Sequence, residues 1–451
     1  MSSIHVAKPD LSEGNVRLGT AGLGVQQGAG LVGIIGLVAS AVIGFGGMFG
    51  TTPTFLMKSW TQNYMFVLAI SLGALFFVFI QHLTRAGWST TIRRPAELIA
   101  ANLKWAWVGL IPFAALWLSG GGHVEGSDAA HSNWGPGVLF PWADLEALKV
   151  HHPAEYDIVA AKSAYLNSTF FWIRAIIYVT FWGVVSTWFL RTSIAQDATG
   201  DIRLTEKMQK WSGPIAIGFG LTITFAAFDW IMSLSPAWFS TMFGVYFFCG
   251  CCTCGFSVLI IAVLRLQALG RLKQVVNREH YQDMGKLLFA FGMIFWAYIG
   301  FSQYMLIWYA NIPEETGWFL GRQIGGWGTL SFVLLFGHFV VPFVLLISKW
   351  TKRLSWYLLA AAIWMLFFGW FDLYWLIMPV VPADAMTAKT YMEVVEAHAD
   401  ASTHIFNPLN FTMLAGVGGI YLWMTIRRMR GSTLLAIRDP RLHEGLSFEN
   451  Q

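Results

Sequence analysis

The chain has 451 residues, of which 56% are hydrophobic, 16% aromatic and 12% charged, and its formal net charge is +4. A water-facing surface needs more charged residues than this, so the composition excludes an ordinary soluble protein and indicates that the chain lies in a lipid bilayer. Nucleic-acid binding is also excluded, because the sequence has no basic face with interleaved aromatic residues.

Ten apolar segments qualify as membrane-spanning helices, which need about 20 mostly apolar residues each. In chain order we predict spans at 31–49, 65–83, 103–118, 170–190, 213–234, 238–264, 287–308, 328–348, 355–377 and 409–426. No A-x-A-like cleavage site precedes the first span, so we expect it to stay in the mature protein. The predicted organisation is an N-terminal segment (1–30), a membrane domain (31–426) and a C-terminal tail (427–451).

Lysine and arginine residues predict the orientation of these spans. The N-terminal segment, the even-numbered connections and the C-terminal tail hold 23 of the 29 basic residues, and the odd-numbered connections hold 5. The remaining one, Arg174, lies inside span 4. Because cytoplasmic connections are enriched in Lys and Arg, both termini are expected to face the cytoplasm.

Two connections on the opposite, outer side are long, at residues 119–169 and 378–408. Their acidic and histidine residues are Asp128, His131, Asp144, Glu146, His151, His152, Glu155, Asp157, Glu393, Glu396, His398 and His404. These residues form either a solvated polar cap or a docking surface for periplasmic proteins. A metal site is disfavoured, because adjacent residues such as His151 and His152 do not place both rings on one face of a helix.

Five ionisable residues are predicted to lie within the spans or at their ends. Such residues are costly in a bilayer and point to function by default. Arg174 is either a counter-ion that ties one aspartate to a neighbouring helix or part of a proton relay, and His338 is either a satisfied core residue or a relay member. The proton-pathway candidates are Asp229, Asp372, His338, Arg174 and His82.

The two aspartates lie in similar sequence stretches, "AAFDWIMSLSP" at 226–236 and "GWFDLYWLIMP" at 369–379. Each aspartate precedes a proline by seven positions. The two stretches lie in spans 5 and 9, which are four helices apart and therefore run in the same direction. This pattern favours parallel repeats, with two four-helix bundles made of spans 2–5 and 6–9 and with spans 1 and 10 at the periphery.

The run "CGCCTC" at 249–254 does not have the spacing of c-type haem attachment, because Gly255 follows its last cysteine. Small residues for helix packing are the better interpretation. A b-type haem needs paired deep histidines, and only His338 is clearly deep. The sequence also lacks nucleotide-binding loops and a nucleophile triad. We therefore expect no catalytic residue, metal or cofactor site in this chain itself.

Three stretches resemble one known family: "FDWIMSLSPAWFSTMFGVYFF" (228–248), "GFSQYMLIWYANIPEETGWF" (300–319) and "RDPRLHEGLSFEN" (438–450). They are similar to the second NrfD-like membrane subunit, the ActF family, of alternative complex III. That complex is a bacterial quinol oxidoreductase that passes electrons to cytochrome c or directly to an oxidase. The resemblance covers nearly the whole chain and implies ten helices in two four-helix bundles, in the bacterial inner membrane.

The resemblance also implies a function and partners. In this family the related ActC subunit holds the quinol site, whereas the ActF subunit carries no prosthetic group and is proposed to supply a proton route. The expected partners are a multihaem cytochrome c, an iron-sulfur subunit, ActC, small membrane subunits, lipids and a terminal oxidase. The c-type haems and iron-sulfur clusters would belong to other subunits. Quinone binding by this chain, a purely structural anchor and, less favoured, a secondary transporter remain as alternatives.

The chain departs from the family pattern at one place. Family members read "SLEPHW" or "SLDPHW" where this chain has "SLSPAW" at 233–238. Ser235 and Ala237 therefore replace an acid and a histidine. A role for that acid or histidine in an outer proton exit is in doubt for this chain.

Overall fold

The computed structural model describes residues 10–119, 134–382 and 390–450, so the predicted loop residues Asp128 and His131 lie outside the described residues. The described chain is helical, and its one β-type contact is an isolated bridge between Arg17 and Thr433. Ten of the described helices are long and apolar enough to cross a membrane. In order, spans 1 to 10 are Leu23–Phe45, Pro53–Leu83, Thr90–Leu118, Ser168–Thr199, Ile202–Leu234, Phe243–Ala268, Arg278–Ala310, Gly325–Leu346, Ser355–Ile377 and Pro408–Arg430. The prediction of an all-α protein with ten spans is confirmed.

Several spans change their helical form along their length. The middle of span 3 is a 3₁₀ segment, Ala101–Leu110. Spans 7 and 8 each contain a π-helical segment, Leu288–Ile294 and Leu335–Val340. Short helices in the connections and tail are Glu13–Val16, Leu145–His151, Pro153–Ala160, Pro313–Leu320, Lys349–Arg353, Tyr391–Ala397 and Leu442–Leu446.

The helices of spans 1, 2, 3, 5 and 7 begin eight or more residues before the predicted starts at 31, 65, 103, 213 and 287. Span 1, for example, begins at Leu23 and ends at Phe45. Glycines make residues 22–30 look unsuited to a helix, but the helix continues into Gly33 and Gly36, where span 1 approaches span 10 closely. A Cβ atom at Gly33 would lie 2.7 Å from the backbone nitrogen of Ile420, and one at Gly36 would lie 2.5 Å from that of Gly416. Packing between backbones therefore outweighs the low helix propensity of glycine.

Span 2 is the most buried helix, and it packs against spans 3, 5, 6, 9 and 10. Its crossing with span 6 depends on two glycines. A Cβ atom at Gly73 would lie 1.9 Å from the carbonyl oxygen of Cys251, and one at Gly255 would lie 2.6 Å from Cα of Gly73. The four cysteines of span 6 are buried and free. The cysteine run thus lies in a close helix crossing.

The remaining helices pack mainly against their neighbours in the chain. Span 3 contacts span 4 and span 4 contacts span 5, while span 5 returns to span 2. Likewise span 7 contacts span 8, span 8 contacts span 9, and span 9 returns to span 6. The two spans that carry the aspartates therefore occupy corresponding places in the two halves of the protein.

The C-terminal tail folds back over the ends of the helices on the side where the chain begins. The backbone nitrogen of Leu434 donates to the carbonyl of Val16 at 2.7 Å. Asp439 forms an ion pair with Arg93 of span 3. The side-chain amide of Asn277, at the start of span 7, donates to the carbonyl oxygen of Phe448 at 2.8 Å. The tail thus joins both halves of the protein on one side.

Candidate functional site

Asp229 lies near the end of span 5 and is paired with an arginine of span 4. Arg174 donates from Nε and Nη2 to the two carboxylate oxygens, each at 2.8 Å, and Tyr178 donates its hydroxyl to Oδ2 at 2.9 Å. The guanidinium carbon of Arg174 lies 3.9 Å from the ring centroid of Tyr165 and 4.2 Å from that of Phe170. This bidentate geometry fixes the Arg174 guanidinium and the Asp229 carboxylate, and each charge neutralises the other.

Asp372, the matching residue of span 9, has quite different partners. It is 2% exposed. Tyr246 of span 6 donates its hydroxyl to Oδ1 at 2.6 Å, and Trp296 of span 7 donates its indole Nε1 to Oδ2 at 3.3 Å. Within the described residues, no lysine or arginine forms an ion pair with this carboxyl group. Because an ionised carboxylate is costly to bury without a cation, the surroundings of Asp372 favour proton uptake.

His338 of span 8 is connected to Asp372 through Trp296. The imidazole and indole rings stack with centroids 4.0 Å apart and planes 4° from parallel. His338 Nε2 lies 3.2 Å from the carbonyl oxygen of Gly292, which only accepts, so Nε2 carries the proton. Nδ1 is then an acceptor, and it is buried without a hydrogen-bond partner in the described chain. His338 therefore has a free proton-accepting atom inside the protein.

The histidine lies where two π-helical segments face each other. His338 belongs to the π segment of span 8, and Gly292, its hydrogen-bond partner, belongs to that of span 7. The hydroxyl of Thr253 in span 6 donates to the same Gly292 carbonyl at 2.6 Å. Single π turns are frequent at functional sites because they re-aim side chains without breaking a helix. Here they bring three helices together around the imidazole.

A cavity of about 960 Å³ borders this cluster, among spans 6 to 9. Tyr246 and Trp296, the two donors to Asp372, form part of its wall. Gln303 also lines it, and its buried amide oxygen has no hydrogen-bond partner within the described residues. The apolar part of the lining includes Phe243, Ile294, Phe301, Phe319, Leu334 and Phe339. A large apolar cavity with a few polar groups is typical of a small-molecule site.

A buried arginine from the connection between spans 7 and 8 lines this cavity. Arg322, which is 2% exposed, donates to the backbone carbonyls of Trp318 (2.8 Å), Leu376 (2.7 Å) and Trp375 (3.2 Å). Its guanidinium carbon is 3.3 Å from the ring centroid of Trp318. Burial lowers the pKa of Arg322, yet an arginine stays charged. Arg322 therefore supplies positive charge at the C-terminal end of the helix that carries Asp372.

The two aspartate helices end in a matching way. Pro236 follows Asp229 by seven positions, and its carbonyl oxygen accepts a hydrogen bond from Lys162 Nζ at 2.7 Å. Pro379 follows Asp372 by seven positions, and its carbonyl oxygen lies 3.3 Å from Lys58 Nζ. Burial lowers the pKa of Lys162, which lies in a connection between spans. The similarity of the two sequence stretches thus extends to a lysine at the end of each helix.

His82 lies apart from both aspartates, in the last turn of span 2. Its ring stacks on Phe189 with centroids 5.5 Å apart, and its Nε2 has no partner within the described residues. Three other buried charges lie on this side of the protein. Glu97 accepts from Arg94 Nε at 3.0 Å and pairs with Arg93 Nε at 3.4 Å. Arg93, Arg94 and Glu97 form a buried ionic cluster, and Asp439 of the C-terminal tail binds to it through Arg93.

The structure therefore separates the five predicted residues into three places. Arg174 joins Asp229, His338 approaches Asp372 through an intervening tryptophan, and His82 stands alone. Sequence reasoning missed the other polar groups of the Asp372 site, which are Tyr246, Trp296, Gln303 and Arg322. Only Arg322 had a usable signal, as the single arginine in the odd-numbered connections.

The connection between spans 3 and 4 contributes structural contacts. Asp144 begins the helix Leu145–His151 by accepting from the backbone nitrogen of Ala147 at 3.0 Å. His152 lies 3.7 Å from Glu155. Throughout the described residues, no three His, Cys, Asp or Glu side chains are grouped so as to hold a metal ion.

The ten apolar helices define an all-α, multi-pass membrane protein with buried ionisable groups. A scan of the chain against known protein-family models finds no match, and no curated protein matches its sequence.

Proposed function

We propose that this protein is an NrfD-like membrane subunit, of the ActF type, of alternative complex III. In that role it would support quinol oxidation in the bacterial inner membrane and supply a transmembrane proton pathway. The proposal starts from the sequence resemblance described above. The observation that carries the proton-pathway part is a contrast between two matching residues. Asp229 is fixed by Arg174, whereas Asp372 has no cation partner among the described residues.

The packing of the helices supports an NrfD-like arrangement of two four-helix bundles, spans 2–5 and 6–9. In each group of four, every helix contacts the next and the last returns to the first. Spans 1 and 10 pack mainly on each other, outside both groups. The lysine contacts at Pro236 and Pro379 add a chemical correspondence between the groups. In this arrangement the second bundle carries the site that exchanges protons.

The surroundings of Asp372 favour it as the exchanging group. Its two partners, Tyr246 and Trp296, are neutral donors, so its carboxyl group has no fixed counter-charge to hold it ionised. His338 offers an unpaired Nδ1 behind the same tryptophan. Arg322 lines the adjacent cavity, where its guanidinium donates to backbone carbonyl oxygens and not to the carboxyl group of Asp372. These groups belong to the outer half of the proposed pathway, and His82 with Glu97 would belong to its cytoplasmic half.

Purification from native membranes tests membership of the complex. A tagged full-length chain should co-purify with a multihaem cytochrome c, an iron-sulfur subunit and a second NrfD-like subunit, which mass spectrometry would identify. Haem and iron-sulfur absorbance should elute with the tag. A chain that elutes alone under mild detergent conditions, while the cytochrome stays in a separate complex, would contradict the proposal.

A second candidate function, quinone binding by this chain, is favoured by the cavity beside Asp372. Its volume of about 960 Å³ lies at the upper end of the usual range for ligand sites, roughly 300–1,000 Å³. The unpaired amide of Gln303 and the hydroxyl of Tyr246 provide hydrogen bonds for a carbonyl group, and the walls suit an isoprenoid tail. The proton-pathway function remains our first choice, because the resemblance described above implies that the quinol site belongs to the related ActC subunit.

Ubiquinone and menaquinone titrations of the purified full-length chain distinguish these two functions. If the cavity is a quinone site, Gln303→Leu should weaken binding about tenfold or more, because a buried polar partner is lost. The matched control is Gln27→Leu, which replaces an exposed glutamine outside the cavity. Unchanged affinity in Gln303→Leu, or no quinone binding by the wild type, would exclude the second candidate.

Two other roles have less support. A secondary transporter needs discontinuous helices around a substrate site, and spans 7 and 8 continue through their π segments without unwinding. A purely structural anchor gives no reason for a buried carboxyl group without a counter-ion beside an open cavity. The anchor role would be supported if neutral replacement of Asp372 left proton-coupled turnover unchanged.

A further inference from the structure

A second groove, of about 810 Å³, lies on the membrane-facing side of spans 3 and 4. Its walls are formed by apolar side chains, including Trp107, Ile111 and Ile176. Two basic residues, Lys104 of span 3 and Arg191 of span 4, line it as well. The groove is remote from the Asp372 cavity, which lies among spans 6 to 9.

The groove is long enough to hold a lipid acyl chain. It extends along span 4 from Trp172 to Arg191, whose Cα atoms are separated by about 28 Å of α-helix. Gly183 opens space between the helices, because a Cβ atom there would lie 3.4 Å from Cα of Lys104. Trp107 on the wall is 50% exposed, as expected for tryptophans that face lipid near the membrane interface.

The two basic residues are not neutralised by the protein. Within the described residues, neither Lys104 nor Arg191 forms an ion pair with a carboxylate, and both side chains are exposed. The Lys104 ammonium lies 5.1 Å from the ring centroid of Trp105. By contrast, Arg93 and Arg94 on the same side of the protein are fully occupied by acidic partners. The groove therefore presents a net positive charge at the end nearer the termini.

We propose that this groove binds an anionic phospholipid in the leaflet on the side of the chain termini. The phosphate would lie between Lys104 and Arg191, and an acyl chain would lie along the apolar wall toward Trp172. Basic pockets between transmembrane helices are suited to anionic lipid head groups, because the charge attracts the phosphate and the groove holds the tail. A neutral phospholipid gains less from two unpaired cations. The inference does not depend on the proposed respiratory function.

Native mass spectrometry of the purified full-length protein tests the site with phosphatidylglycerol and phosphatidylcholine as probes. We expect the wild type to retain phosphatidylglycerol more strongly than phosphatidylcholine. Lys104→Gln and Arg191→Gln should each weaken phosphatidylglycerol binding about fivefold, and the double variant about thirtyfold, with little change for phosphatidylcholine. Lys207→Gln is the matched control, because Lys207 is an exposed lysine on the same side but outside the groove.

Three results would overturn the proposal. Equal retention of the two lipids by the wild type would show that the groove has no preference for anionic lipid. Equal loss of phosphatidylglycerol in the control and in the double variant would indicate general surface attraction. Protection of a cysteine placed at Thr187 by a co-purifying protein, with no phosphatidylglycerol retained, would show that a partner helix occupies the groove.

Discussion

Arg174 holds Asp229 by two hydrogen bonds of 2.8 Å, one to each carboxylate oxygen. Both side chains are buried, so each charge depends on the other. We expect Asp229→Asn to lower the stability of the protein by about 3–5 kcal/mol, because it leaves a buried arginine without its counter-charge. Thermal unfolding of the purified full-length variant in detergent measures this loss.

A double variant provides the control for this pair. Arg174→Leu combined with Asp229→Leu removes both charges together, and should cost less than the sum of the two single replacements. An Asp229→Asn protein as stable as the wild type would contradict the assignment of this pair as a structural element.

The crossing of spans 2 and 6 makes a second stability prediction. Gly73→Ala should destabilise the protein or prevent its folding, because the added Cβ would lie 1.9 Å from the carbonyl oxygen of Cys251. Gly220→Ala is the control, since the space around Gly220 is open and alanine favours a helix by about 0.5–1 kcal/mol. Folded yield and thermal unfolding should separate the two variants. Equal yields would show that spans 2 and 6 do not cross as closely as described.

The sequence predicted the helices well because crossing a bilayer imposes a length and an apolar composition that are visible in any single chain. Pairing of Arg174 with an aspartate was one of the two interpretations that the sequence suggested, since an isolated charge is costly in lipid. It did not identify Tyr246 and Trp296 as partners of Asp372, because aromatic residues are abundant throughout the spans. The start of span 1 was wrong because tertiary packing, which the local sequence does not show, determines whether its glycines form a helix.

The distribution of basic residues predicts the topology. Reporter tags at positions 140 and 390 should report the periplasm, and tags at position 275 or at the C-terminus should report the cytoplasm. The contact between Leu434 and Val16 requires the tail and the N-terminal segment to share a side. A cytoplasmic signal at position 140 would overturn the orientation.

The tail should contribute to stability through its ion pair with span 3. Asp439→Asn removes one of the two acidic partners of Arg93, the other being Glu97, and all three side chains are buried. Because Glu97 remains as a partner, we expect a loss of about 1–3 kcal/mol and faster proteolysis of the tail, followed on the full-length protein. Glu449→Gln serves as control, because Glu449 makes no ion pair in the described chain. Identical proteolysis of the two variants would count against a fastening role for Asp439.

The most direct test of the proton-pathway proposal is the proton yield of Asp372→Asn in the assembled complex. Asparagine keeps the size of the side chain and removes the titratable group, so the complex should assemble normally. Quinol oxidation and proton release are followed together in proteoliposomes, with the wild type alongside. If Asp372 exchanges protons, we expect a lower proton yield per electron or slower proton-coupled turnover in Asp372→Asn. Wild-type rate and wild-type proton yield in a fully assembled Asp372→Asn complex would contradict it.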